Sequence, residues 1–150
     1  MFDSFKPLLD ATGKKLLFVG VGNRLKSDDA IGIIICEELE KRPFLDTLIV
    51  EAAIEKFVGK INSLAPDLLV LVDCTDFDRE SGYFKMIHIS DIPDNTFHTH
   101  TISLRRISEF FEMETFLLGI QPQNVKFGET ISPPVLEAAH KITQYIKTNL

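Results

Sequence analysis

The sequence predicts an α/β protein, a three-layer sandwich in which a mostly parallel five-stranded sheet carries helices on both faces. Three observations predict it. Continuous apolar runs, Leu16–Val19 and Leu68–Val72 above all, have the pattern of strands covered on both sides. Between and after them lie segments whose apolar residues recur at helical spacing. The two kinds alternate through short connections, with no internal repeat or low-complexity stretch, so residues 1–150 are expected to form a single domain.

After a polar start, a strand is predicted at Lys15–Val19, ending in Gly20-Val21-Gly22-Asn23. Glycine lets the backbone turn sharply at the carboxyl edge of a strand, where open α/β sheets place their ligand sites. A helix is predicted over Asp28–Lys41, with Ile31, Ile34, Ile35 and Leu39 on its inner face and Pro43 beyond its end. Thr47–Glu51 reads as the second strand. Ala52–Leu64 reads as a helix through Ile54, Phe57, Val58, Ile61 and Leu64, closed by Pro66. The third strand, Leu68–Val72, runs into Asp73-Cys74-Thr75-Asp76. Tyr83–Ile89 is the fourth, reached through a short loop and so expected to pair differently from the parallel ones. Asp91–Thr99 is irregular, followed by a helix with Leu104, Ile107, Phe110 and Phe111 on one side. Glu114–Ile120 is the fifth strand. Ser132-Pro133-Pro134 supplies an N-cap and a first-turn proline to a C-terminal helix with Leu136, Ala139, Ile142, Tyr145 and Ile146 as its inner stripe.

A net charge of −6 argues against a nucleic-acid partner, which calls for a basic patch. No secretory apolar core and no run approaching the length of a membrane span is present, so a soluble, cytoplasmic protein without a membrane partner is expected. Cys36 and Cys74 lack metal-ligand spacing and sit in apolar surroundings, as buried free thiols do in a reducing compartment.

Chemistry is expected at the sheet edge. Asp28 and Asp29 precede a helix, where carboxylates also have an ordinary role in capping and in meeting the helix dipole. Asp73 ends the most apolar strand, and its ordinary role there is an Asx-type turn. His98 and His100 flank Thr99, alternate residues that point the same way if the segment is extended. Together Asp29, Asp73 and His100 give two oxygen donors and one nitrogen donor from separate loops, a set that suits nickel, zinc or manganese without choosing among them. No Gly-x-Ser-x-Gly elbow offers a nucleophilic serine, and Leu25 stands where a dinucleotide loop needs its third glycine. Cys74 beside Asp73 is expected to be a poor nucleophile, because the carboxylate raises its pKa.

Val19-Gly20-Val21-Gly22-Asn23 with Leu25, Asp28-Asp29 and Gly32 resembles the Gly-x-Gly-Asn-x-Leu-x-x-Asp-Asp-x-x-Gly signature of the hydrogenase maturation endopeptidases. The likeness continues through Leu69–Asp76, His98-Thr99-His100 and Leu117-Leu118-Gly119-Ile120-Gln121-Pro122. It implies a phosphorylase/hydrolase-like fold and an endopeptidase that removes the C-terminal extension of a nickel–iron hydrogenase large-subunit precursor after nickel insertion. By the same resemblance, Asp29, Asp73 and His100 contact nickel supplied by the precursor and carry the catalytic site, with no organic cofactor. His98 falls outside the pattern. Glu51-Ala52-Ala53 stands where many members have a glycine-containing turn, and Glu51 is a further candidate carboxylate.

Two other readings have less to recommend them. A signalling receiver with Asp73 as its phosphoacceptor needs acids directly after the first strand, where Val21-Gly22-Asn23 stands, and a lysine ending the fifth, where Ile120-Gln121 stands. Peptidyl-tRNA hydrolase shares the Gly-x-Gly-Asn start, but its catalytic histidine should follow shortly, and the first histidine here is His88.

Overall fold

Strand β1 (Leu16–Val21) is buried at every residue, as is β3 (Leu68–Cys74), and the two lie side by side in parallel register, Leu16 opposite Leu68 and Gly20 opposite Val72. Their unbroken apolar runs are explained by that central place, with helices on either side. The computed structural model describes residues 1–92 and 103–150. Within them β2 (Leu45–Glu51), β4 (Phe84–His88) and β5 (Glu114–Ile120) complete a sheet of order β2-β1-β3-β5-β4. All neighbours are parallel except β4, which pairs antiparallel with β5 at the far edge. The expected mixed pairing of the fourth strand is therefore borne out, and so is the three-layer α/β class.

Side chains alternate between two apolar layers, as the pleat requires. On one face Leu16, Phe18, Val70, Val72 and Leu118 pack with α1 (Lys6–Asp10), α2 (Ile31–Glu38) and α5 (Pro133–Asn149). On the other, Leu17, Val19, Leu69, Leu71 and Leu117 pack with α3 (Val58–Leu64) and α4 (Leu104–Ser108). Cys74 belongs to the first layer, so its neighbour Asp73 stands on the α3/α4 face of the sheet.

Several expectations need correction. The polar start holds a short helical segment from Asp3 to Asp10, because Phe5 and Leu8 are wholly buried and Phe2 stacks on Tyr145 at 4.0 Å. The predicted helix over Asp28–Lys41 divides: Ser27–Ala30 is a 3-10 turn, and α2 ends at Glu38, with Leu39 extended. Ile34 is only half-buried, whereas Ile33 and Cys36 are covered, since this helix is wrapped on more than one side. Phe110 is 69% exposed rather than inward, because α4 stops at Ser108. The inner stripe of α5 includes Val135 and Ala138, and Leu136 faces out. Among the described residues no helix is long and apolar enough to cross a membrane.

Candidate active site

The strand order reverses at β1: the chain leaves β1 through α2 to reach β2 on one side, then returns to place β3 on the other. Such a reversal opens a crevice at the carboxyl ends of the two strands, where α/β sheets hold their ligands. The turn bearing Asp29 follows β1, and Asp73 lies one residue from the end of β3, so both acids stand at this crevice.

Two glycines let the segments approach. A Cβ on Gly32 would lie 2.0 Å from the Val72 carbonyl oxygen, and one on Gly22 would lie 2.0 Å from that of Asp29. The first turn of α2 is thereby seated on the end of β3, beside Asp73. Asp29 is 3% exposed and Asp73 wholly buried. One Asp29 carboxylate oxygen accepts the Asn23 N–H at 2.9 Å, which fixes the side chain against the glycine turn. Thr75 donates its hydroxyl to the Asp73 backbone carbonyl at 3.4 Å, a weak bond that leaves the Asp73 side chain out of it. The nearby thiol registers the accumulated charge: burial, then Asp73, Asp29, Asp28 and Asp76, push Cys74 far above the ordinary thiol range. Cys36 is raised in the same way, chiefly by burial. Neither supplies a thiolate nucleophile near neutral pH.

Asp28 does not cap its own turn. It is wholly buried and reaches across to a distant loop, accepting the N–H groups of Gln123 and Asn124 at 2.9 Å, the Ser132 N–H at 2.7 Å and the Ser132 hydroxyl at 2.8 Å. Ser132 holds the N-cap position of α5, but its hydroxyl donates to Asp28 instead of capping the helix. The adjacent residue joins the same seam: Ser27, with a left-handed φ of 51°, donates its N–H to the Gly128 carbonyl and its hydroxyl to that of Lys126, both at 2.8 Å. Gln121 holds a third loop, its side-chain oxygen accepting the Phe77 N–H at 2.6 Å and its amide donating to Asp76 at 3.2 Å. Sequence reasoning gave neither Asp28 nor Gln121 this role. The signals present were that Asp28 sits in the Asp28-Asp29 part of the signature and Gln121 in the Leu-Gly-Ile-Gln-Pro stretch.

Glu51 is exposed and forms an ion pair with Arg24, which Glu37 also engages. Its φ of 54° lies in the left-handed region, at an irregularity in the β1–β2 pairing, which accounts physically for glycine being suited to this turn. His98 and His100 lie outside the described residues. Ile92 and Leu104, near the two ends of that stretch, both pack in the α3/α4 layer, on the face where Asp73 stands. Among the described residues no group of three metal-ligating side chains is gathered.

The antiparallel β4 on the far edge separates this sheet from the receiver type, whose 2-1-3-4-5 order is doubly wound. The sequence model of the hydrogenase maturation protease family matches residues 33–149. This chain belongs to the hydrogenase maturation protease family. The matched range contains Asp73 and His100, with Asp29 just ahead of it. Among relatives, a putative hydrogenase maturation protease from Methanocaldococcus jannaschii is 32% identical over 76% of each chain. The hydrogenase 3 maturation protease of Escherichia coli K12 is 27% identical over 85% of each. The crystal structure of a NiFe hydrogenase maturation protease from Thermococcus kodakarensis superposes with a TM-score of 0.82 at 31% identity, covering 96% of this chain and 98% of that one. The chain is accordingly a peptidase of the hydrolase class, with the α/β sandwich of its relatives.

Proposed function

We propose that this protease removes the C-terminal extension of a nickel–iron hydrogenase large-subunit precursor after nickel has been inserted, with Asp29, Asp73 and His100 gripping the nickel carried by the precursor. What supports the reading is the position of Asp29 and Asp73, two buried carboxylates on segments that follow β1 and end β3, beside the strand-order reversal of a chain in this family. Carboxylate oxygens with one imidazole form a donor set that suits a borderline divalent ion and leaves positions for the substrate's own ligands. Held this way, the precursor presents its scissile peptide at a fixed place, which lowers the entropic part of the barrier. The ion polarises the peptide carbonyl, water attacks the carbonyl carbon, a carboxylate takes the water's proton, and the C–N bond breaks with the proton passing to the departing amine.

The test is co-expression with candidate large-subunit precursors, with and without nickel, followed by intact-mass measurement of the precursor's C-terminus. The wild type is expected to remove the extension only when nickel is supplied. Asp29→Asn, Asp73→Asn and His100→Ala are each expected to slow processing by about a hundredfold or more. Undiminished processing by all three variants would remove the proposed site.

A further inference from the structure

Leu25, Val125 and Phe127 are 48%, 39% and 85% exposed, and they stand on the two loops sewn together beside Asp29. Singly exposed apolar residues are ordinary, as at Phe44 and Phe110 elsewhere on the surface. What separates the trio is the backbone beneath it. Gly128 donates its N–H to the Leu25 carbonyl at 2.8 Å and accepts that of Ser27, while Lys26 and Gly128 form a bridge outside the main sheet. Asn124 accepts the Lys126 N–H on its side chain at 2.9 Å, and Asp28 holds the N–H groups of Gln123 and Asn124. The loops carrying these side chains are thus fixed before any partner arrives. Ordering cost is what usually weakens a loop interface, and an aromatic on prepaid backbone is suited to be an anchor.

Place and charge narrow the occupant. Leu25 lies four residues before Asp29 in the same β1–α2 connection, two residues ahead of the 3-10 turn, so a protein bound at Asp29 meets this surface. Arg24 is engaged by Glu37 and Glu51, while Lys26 next to Leu25 and Lys126 between Val125 and Phe127 are exposed, against one exposed acid, Glu129, on the same loop, in a chain of net charge −6. A partner face that is apolar at its centre and acidic at its margin fits.

We propose that Leu25, Val125 and Phe127 form a docking surface for the folded body of the hydrogenase large-subunit precursor, separate from the groups that grip its metal. The inference rests on the function proposed above. Steady-state cleavage of nickel-loaded precursor by Phe127→Ser and Leu25→Ser tests it, with Phe44→Ser and Phe110→Ser as exposed-apolar controls. Loss of an anchor by Phe127→Ser raises KM about tenfold and leaves kcat within about twofold, a change of the size expected for an interface hot spot. Leu25→Ser moves KM in the same direction, Phe127→Leu restores most of the loss, and the controls stay at the wild-type value. An unchanged KM for Phe127→Ser, an equal rise in the controls, or a fall in kcat at constant KM would each overturn the proposal. If the wild type processes no precursor, the functional reading itself has failed and takes the docking surface with it.

Discussion

Asp28 has a side chain that water never reaches, and four donors from residues 123, 124 and 132 take water's place. Donating bonds to a buried carboxylate are individually strong, and deleting the acceptor strands every donor. Asp28→Ala should therefore lower unfolding free energy by about 3 kcal/mol or more, measured by urea denaturation. Its neighbour Asp29→Asn, which can keep an oxygen for the Asn23 N–H, should cost far less. The adjacent acids look alike in sequence, and their division of labour becomes visible only when a segment a hundred residues away is set against one of them. Cys36 and Cys74 behave as composition suggested: both are buried, and iodoacetamide at pH 8 should leave them unmodified in the native protein and modify both after unfolding. Because both thiols are raised in the folded state, the native protein holds protons that the unfolded chain releases above about pH 8.5. Stability should thus be unaffected by these groups below that pH and fall as pH rises through it, followed by denaturation midpoints between pH 7 and 10.

Elements are where local rules held best and failed most instructively. Glu114–Ile120 was legible to the residue as β5, because an apolar run between charged or turn-forming residues admits few alternatives. Helix boundaries were not, since α2 begins after a 3-10 turn whose shape is set by bonds to residues 124, 126 and 128. The inward face of α5 was misplaced at Leu136 because neighbouring apolar residues, Val135 and Leu136, compete for the core and the crossing with α2 decides between them. Gly32 shows the reverse dependence, a single small residue fixing where a whole helix sits. Gly32→Ala places a methyl group 2.0 Å from the Val72 carbonyl oxygen, so α2 must withdraw from the end of β3. The expected cost is about 3 kcal/mol in thermal or urea unfolding, with processing reduced beyond the loss of folded protein because the turn bearing Asp29 moves too.

At the scale of the molecule, the sheet concentrates protection at its centre. Amide hydrogen exchange should be slowest in β1 and β3, buried throughout, and faster in β2 and β4, which form the two edges. Equal exchange rates across all five strands would contradict the layered core. The α/β class, the buried central strands and the placing of Asp29 in the connection after β1 and Asp73 at the end of β3 could be read from the residues alone, because hydrophobic periodicity and glycine position act over a few residues and are written locally. Strand order, the reversal that brings the segments of Asp29 and Asp73 to one crevice, and the seam joining residues 25–28 to 123–132 came from folding in three dimensions. Those depend on which distant surfaces bury one another, and burial is a property of the packed chain that no local window contains.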